Sequence, residues 1–212
     1  MSAGRQRQFR KEEALARAME VFWLKGYSGT SLSDLTEAMG INKPSLYAAF
    51  GNKEKLFVSA INEYVEQYGT PHFDMLLNGD ASLRERVKAY LCSIANMVTN
   101  AKLPGGCFVA DSTCEAGGSC LPEGAEDAIL SINTASTKAF VIFFREEQSK
   151  GHIESSDSPD ILADYLLALQ YGLAVMARNG IKRARQEKMI DHAAIHLIKH
   201  KDIICKIRGT SK

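Results

Sequence analysis

The 212-residue sequence has no long apolar run, no leader-like N-terminus and no even set of cysteines. No stretch approaches the roughly 18 unbroken apolar residues that a membrane span needs. The first ten residues contain three arginines but no apolar segment behind them, unlike a secretory signal. The five cysteines, at positions 92, 107, 114, 120 and 205, are odd in number, which argues against a disulfide framework. We therefore expect a cytoplasmic protein with no membrane partner.

The sequence also lacks the patterns of strands and of common enzymes. No convincing period-2 stretch bounded by turns occurs, and there is no internal repeat. We find no paired carboxylates in a suitable setting, no phosphate-cradling glycine loop before a helix and no nucleophile motif. The sequence therefore predicts an all-α protein that is not an enzyme and holds no cofactor and no metal.

Apolar residues instead recur at helical spacing along the whole chain. The predicted helices cover residues 10–25, 32–39, 43–50, 53 to a break at Gly69-Thr70-Pro71, 83–98, 126–150, 159–179 and 185–201. Ser82 and Glu85 form a predicted capping box before the fifth of them. The glycine- and cysteine-rich segment 104–124 has room for one short helix.

Positive charge is concentrated near the N-terminus. Residues 1–56 contain nine Lys and Arg against six Asp and Glu, whereas the whole chain has a net charge of only +1. A mildly basic segment over residues 1–56, followed by a mildly acidic remainder, is compatible with a polyanionic partner that binds the N-terminal segment.

Residues 30–57 have the spacing of a helix-turn-helix. Ser31 is a predicted cap for the second helix, and Gly40 permits the positive φ that a tight turn between helices requires. Asn42 is a predicted cap for the third helix, which has Pro44 in its first turn. That helix is too short to be stable alone and has only Leu46 and Phe50 to bury.

The other side of the third helix therefore faces a partner. It presents Lys43, Ser45 and Tyr47, whose side chains can hydrogen-bond to phosphates and to base edges in a major groove.

The sequence resembles the tetracycline-repressor (TetR) family of bacterial regulators over residues 9–60. The resemblance rests on Val21-Phe-Trp-Leu-Lys-Gly-Tyr27, on Thr30-Ser31, and on Leu46-Tyr47-x-x-Phe50-x-x-Lys53-x-x-Leu56. It implies a three-helix helix-turn-helix DNA-binding domain over 1–56 and a helical ligand-sensing and dimerisation domain over 57–212. The C-terminal 150 residues match the family only in helix count and order.

The resemblance also implies roles for single residues on double-stranded operator DNA. Lys43, Pro44 and Ser45 match the base-reading start of the recognition helix, with Asn42 just before it. Tyr47 and Lys53 match backbone contacts, and Thr30 and Ser31 match phosphate contacts at the start of the second helix. Ala48 and Ala49 stand where relatives often carry larger groups, and an alanine can only touch a thymine methyl.

The last two helices are the predicted homodimer interface. The helix over 159–179 is apolar around well over half its circumference, so two sides of it must be covered. Small residues such as Ala168 and Gly172 would let a partner come close. The alternative is a helix buried within one monomer.

The resemblance implies an effector pocket in the C-terminal domain for an unknown small molecule. The candidate lining residues of this pocket are Tyr64, Tyr68, Tyr90, Ile94, Phe108, Phe140, Phe144 and Tyr171. The alternative for each of them is a core residue that contacts no ligand.

A redox or electrophile sensor is a further hypothesis. Cys107 follows two glycines at a predicted helix start, where free N–H groups and the helix dipole would activate a thiol. Cys114 or Cys120 would be its resolving partner. Packing is the alternative for Cys107, and the cysteine spacing does not favour zinc. His192, His196 and His200 share a helical face that could chelate a metal, or they are solvated.

The sequence thus predicts a transcriptional regulator, with repression as the expected activity. It would bind a palindromic operator as a dimer and be released by a small molecule or by an electrophile or oxidant. The alternatives are a small-molecule-binding helical enzyme and a dimeric scaffold without DNA binding. A salt-dependent gel shift separates them, because phosphate neutralisation makes DNA affinity fall with salt.

Overall fold

The computed structural model describes residues 10–77, 80–118 and 120–197, and every regular element within them is helical. This confirms the predicted all-α class. The helices are α1 (Lys11–Lys25), α2 (Leu32–Met39), α3 (Lys43–Phe50), α4 (Lys53–Tyr64), α5 (Thr70–Leu77), α6 (Leu83–Val98), α7 (Phe108–Gly117), α8 (Glu123–Ser149), α9 (Pro159–Arg178) and α10 (Arg183–Leu197).

The sequence-based break at Gly69-Thr70-Pro71 was wrong. The chain continues from α4 through one π-helical turn, Val65–Gly69, directly into α5. A π turn is wider than an α turn and changes the hydrogen-bond register of the backbone. Pro71 is the second residue of α5, where a helix has no use for the missing N–H. The proline therefore does not end the helical path here.

The described chain divides into two compact units. The first unit contains residues 10–68, 108–118 and 120–130, and the second contains 69–77, 80–107 and 131–197. The helix-turn-helix lies in the first unit together with α4, α7 and the start of α8. The domain boundary after residue 56 stays a prediction.

The first unit is built around aromatic residues of α1. Phe22 and Trp23 are fully buried, as are Leu35 of α2 and Leu46 of α3. The Phe22 ring meets Phe57 of α4 edge-on at 5.3 Å between centroids. α1 packs against both α2 and α4. This core gives the short helices α2 and α3 a support that their length does not provide.

The second unit is organised around α6, which packs against α5, α9 and α10. The predicted capping box is present at the start of α6, where Ser82 accepts from the Glu85 amide and Glu85 accepts from the Ser82 amide. By length and composition alone, α9 is apolar enough to cross a membrane. Part of α9 is buried against this unit, with Ala163, Leu166 and Leu173 in the core.

Candidate nucleic-acid interface

The start of α2 is fixed by a capping box. The Ser31 hydroxyl accepts from the Asp34 amide at 3.1 Å, and the Asp34 carboxylate accepts from the Ser31 amide at 2.8 Å. Lys25 at the end of α1 donates to the same carboxylate at 2.5 Å. Hydrogen bonds from Lys25 and then Ser31 hold the pKa of Asp34 far below its usual range. The carboxylate thus stays ionised and joins the end of α1 to the start of α2.

The turn between α2 and α3 has the predicted geometry. Gly40 ends α2 in the left-handed region, with φ 67° and ψ 30°, a conformation that costs glycine nothing. Asn42 caps α3, since its Oδ1 accepts from the Ser45 amide at 2.9 Å. α3 then begins at Lys43 and ends at Phe50, as the sequence predicts.

α3 has one buried and one exposed side. Leu46 is fully buried and Phe50 nearly so. On the other side, 45% of the Tyr47 surface is exposed, and Lys43 and Pro44 are exposed with it. Ser45 is half-buried. This arrangement presents hydrogen-bonding groups on an exposed short helix anchored by two apolar side chains.

The two predicted phosphate contacts at the start of α2, Thr30 and Ser31, have different surroundings. Thr30 is buried, and its hydroxyl donates to the Gly26 carbonyl at 2.6 Å. Its side chain therefore faces inward, because the carbonyl at the end of α1 lies within reach of the hydroxyl. Ser31 is exposed but engaged with Asp34. Asn42 is exposed, and its capping role leaves the Nδ2 amide group as its donor for another partner.

Lys53, the first residue of α4, is half-buried over an aromatic ring. Its ammonium lies 4.1 Å from the centroid of the Tyr27 ring. The Tyr27 ring contacts Phe57 edge-on at 5.2 Å and stacks on Phe22 at 6.2 Å. Burial lowers the pKa of Lys53, and the carboxylate of Glu115 opposes that shift. The lysine is therefore held in place on a platform that belongs to the core.

Glu115 near the end of α7 was not anticipated from the sequence. Its two carboxylate oxygens accept from the backbone amides of Tyr27 at 2.9 Å and Ser28 at 3.1 Å. Gly26 makes room for this carboxylate, since a Cβ there would lie 2.8 Å from Glu115 Oε1. The two partners are 88 and 87 residues away in the sequence, and no local pattern reveals them.

The loop between α7 and α8 is attached to the same region. The Ser28 hydroxyl donates to the Cys120 carbonyl at 3.2 Å. The Gly124 amide donates to Glu54 Oε1 at 2.8 Å. Together with Glu115, these bonds fasten the end of α7 and Cys120 to the α1–α2 turn, and the first turn of α8 to the start of α4.

The eight candidate effector residues are divided between the two units. Tyr64, Tyr68 and Phe108 belong to the first unit, where they pack with Trp23 and Phe57. The other five lie in the second unit: Tyr90, Ile94, Phe140, Phe144 and Tyr171. There the Tyr90 hydroxyl donates to Gln170, and the Tyr171 hydroxyl donates to Asn133 at 3.0 Å. Burial, and then Cys107 and Tyr171, raise the pKa of Tyr90.

An apolar cavity of about 110 Å³ lies elsewhere in the second unit, among α6, α9 and α10. Leu91, Gly172, Met176 and Met189 contribute to its lining, and none of the eight candidates does. Its volume is below the roughly 300 Å³ at which small-molecule sites usually begin.

The predicted sensor cysteines differ in accessibility. Cys107 directly precedes α7 as expected, but it is only 4% exposed. Cys114 and Cys120 are exposed thiols in the first unit. Among the described residues, no three His, Cys, Asp or Glu side chains are placed to hold a metal ion. His200, the last of the three histidines considered above, lies outside the described residues.

Comparison with known proteins gives matches over both the helix-turn-helix and nearly the whole chain. The family described as "Bacterial regulatory proteins, tetR family" matches residues 14–60. The HTH-type transcriptional repressor ComR of Escherichia coli K12 is 31% identical over 198 residues, which make up 92% of this chain and 91% of ComR.

Solved structures agree with this relationship. A cysteine mutant of the TetR family transcriptional regulator CifR, complexed with 26-base-pair operator DNA, is 34% identical with a TM-score of 0.79. The match covers 90% of this chain and 98% of the CifR chain. The reduced form of E. coli NemR has a TM-score of 0.77 at 21% identity over 91% of this chain and 98% of the NemR chain, a likeness that concerns the fold.

Proposed function

This chain belongs to the TetR family of bacterial transcriptional regulators, and from that premise we propose that it represses transcription by binding a palindromic operator as a homodimer in the cytoplasm. The observation that carries the proposal is the exposed side of α3. Leu46 is buried beneath it, while Lys43 and Tyr47 are exposed on it. A helix that presents such groups from a rigid support can enter a major groove.

Phosphate contacts on either side of α3 would fix its register on the duplex. Lys53 provides a cation at the start of α4 and lies over Tyr27. Ser31 lies at the start of α2, where helix N-termini favour anions. CifR, the relative solved with operator DNA, shows that a 34% identical chain of this fold binds a duplex. The base-reading and phosphate roles of single residues remain our proposals.

Dimerisation through α9 and α10 follows from apolar side chains that the second unit leaves uncovered. Ile161, Tyr165 and Val175 of α9 are exposed, as are Met189 and Ile195 of α10. Ile161 alone is 65% exposed. Large apolar side chains left exposed on two neighbouring helices are typical of a protein–protein interface. A two-fold dimer would present two copies of α3 to half-sites about 34–36 Å apart, or a multiple of that.

The effector would bind in the second unit, next to Tyr90 and Tyr171. The Tyr90 ring meets Phe140 edge-on at 5.7 Å between centroids, and Ile94, Phe140 and Phe144 are buried side chains of the same unit. Apolar walls with a few placed polar groups are the usual composition of a small-molecule site. An effector must prefer the conformation that does not bind DNA, and a 100-fold preference corresponds to about 2.7 kcal/mol of coupling.

An electrophile or oxidant is the second form that the signal can take. The exposed thiols Cys114 and Cys120 are open to reagents, and Cys107 becomes reachable only if its surroundings open. Peroxide oxidises a thiolate to a sulfenic acid and releases hydroxide, and a second thiol then forms a disulfide with loss of water.

The DNA-binding proposal is tested with duplexes recovered by repeated binding from a random 26-base-pair library, the duplex length of the CifR complex. Lys43→Ala should cost roughly 1–3 kcal/mol on the recovered sequence and relax preference at one base pair. Lys53→Ala should weaken binding to all sequences. It should also reduce the slope of log affinity against log salt concentration by about one, the value of one phosphate contact. Fluorescence anisotropy across a salt series measures both effects.

Lys102→Ala is the matched control for these variants. Lys102 is exposed in the second unit, and its replacement removes the same charge. It should bind like the wild type. Recovery of no preferred duplex by the wild-type protein would refute the proposed function. If Lys43→Ala weakened binding to random and recovered DNA equally, the base-reading role would be wrong.

The oxidant proposal is tested separately. Mild peroxide should lower the affinity of the wild type for the recovered duplex, and mass spectrometry should locate the modified thiols among Cys107, Cys114 and Cys120. A chain with serine at all three positions should keep its affinity in peroxide. Full DNA binding by an oxidised wild-type protein would exclude the cysteines as sensors.

A further inference from the structure

Glu115 joins α7, outside the helix-turn-helix, to the turn after α1, which lies next to a residue proposed to contact DNA. Its carboxylate accepts from the Tyr27 and Ser28 amides, both of which belong to the turn after α1. The Tyr27 ring lies beneath the Lys53 ammonium. All of these residues belong to the first unit.

The turn after α1 is shaped to receive this carboxylate. Gly26 has φ 72° and ψ 175°, a backbone conformation that is essentially restricted to glycine. Two successive amides then point to the same side and form a concavity suited to an anion. Because a Cβ at Gly26 would approach Glu115 Oε1 to 2.8 Å, both the conformation and the missing side chain are needed.

A carboxylate near a DNA-binding surface has an electrostatic cost. The Glu115 charge is close enough to Lys53 to oppose the lowering of its pKa by burial. The same charge repels phosphates, so charge alone would make DNA binding stronger without it.

We propose that Glu115 is a positioning residue for DNA binding, which holds the Tyr27 ring in place beneath Lys53 and thereby fixes the lysine for its phosphate contact. The carboxylate fixes the Tyr27 backbone, and Phe22 and Phe57 fix its ring. The Lys53 ammonium, 4.1 Å from the centroid of this ring, is held in place as a result. This inference rests on the proposed DNA contact of Lys53.

The test compares Glu115→Gln with Glu126→Gln. Both remove one carboxylate from the first unit, and Glu126 is exposed in the first turn of α8. On a duplex recovered from the random library, Glu115→Gln should bind roughly tenfold more weakly. The slope of log affinity against log salt concentration should fall in magnitude by about one, the value of one lost phosphate contact. Glu126→Gln should bind as well as the wild type or slightly better. Equal or tighter binding by Glu115→Gln would overturn the proposal.

A double-mutant cycle separates positioning from general stability. If Glu115 acts through Lys53, Glu115→Gln should have little further effect on DNA affinity in a Lys53→Ala background. A full additional tenfold loss in that background would show that Glu115 acts by another route and would overturn the proposal.

A readout without DNA keeps this inference distinct from the proposed function. Hydrogen exchange at the Tyr27 and Ser28 amides should become at least tenfold faster in Glu115→Gln, with exchange within α1 unchanged. We call the two hydrogen bonds from the Tyr27 and Ser28 amides to the Glu115 carboxylate the Glu115 clamp. Unchanged protection of those two amides would show that this clamp does not hold the turn. A wild type that binds no duplex would refute the proposed function, whereas a wild type that binds no better than Glu115→Gln would refute only the positioning role.

Discussion

Arg86→Met is expected to lower the free energy of unfolding by about 3–5 kcal/mol, because it leaves a buried carboxylate without its main partner. Arg86 and Glu147 are 5% and 1% exposed and form an ion pair through the two terminal guanidinium nitrogens, Nη1 and Nη2. Arg86 also donates to the Leu76 carbonyl at the end of α5. The pair therefore joins α5, α6 and α8 within the second unit. Urea unfolding followed by circular dichroism measures the loss.

The double variant Arg86→Met, Glu147→Leu is the control for this prediction. It removes both charges, so no unpaired ion remains, and replacing a buried ion pair with apolar residues is often close to neutral. Its stability should recover most of the loss seen in Arg86→Met. If the double variant were as unstable as the single one, the loss would come from packing and the ion-pair explanation would be wrong.

The same ion pair predicts how stability depends on acid. Burial raises the pKa of Glu147, but hydrogen bonds from Arg86, His152 and Lys150 outweigh it and hold the pKa at about 2, against an ordinary 4.5. A carboxyl whose pKa is lower in the folded state stabilises the fold above the ordinary value. That contribution is lost as the pH falls from about 4.5 towards 2. The double variant should lack this component of the acid transition.

Leu46→Ala is expected to lower the free energy of unfolding by about 2–5 kcal/mol and to remove most DNA affinity. Leu46 is fully buried, and it shares the anchoring of α3 only with Phe50. An eight-residue helix cannot compensate for a lost anchor by its own stability. Urea unfolding and anisotropy on the recovered duplex measure the two effects.

Leu46→Met is the conservative partner of this variant. It keeps an apolar side chain of similar volume and should cost less than about 1.5 kcal/mol, with DNA binding retained. Leu46→Ala with wild-type DNA affinity, measured under conditions where it is folded, would show that α3 does not need its apolar support. The proposal that α3 binds DNA from a buried apolar support would then be wrong.

The helix-turn-helix was predictable because its signals are local. Asn42 caps α3 by accepting from the amide of Ser45, three residues later, and Gly40 adopts the left-handed conformation that the turn after α2 requires. These interactions depend only on neighbouring residues, so the observed bounds of α3 agree with the sequence pattern. The break at Pro71 was mispredicted because a proline ends a helix or begins one, and the π turn before it has no clear sequence signature.

The features that sequence could not provide depend on distant residues. The Glu115 clamp joins residues 88 apart, and an acid at the end of a helix predicts no such partner. Arg86 and Glu147 are 61 residues apart and would ordinarily be placed at the surface. The inward position of Thr30 follows from a carbonyl that becomes available only where α1 ends at Gly26.

Photocross-linking from α3 tests the central claim most directly. With p-benzoylphenylalanine in place of Tyr47, irradiation should attach the protein to the recovered duplex, because the exposed side of α3 lies in the groove. The same group in place of Tyr165, which is exposed on α9, should attach the protein to a second copy of itself and to no DNA. Cross-links to DNA from position 165 but none from position 47 would contradict the account.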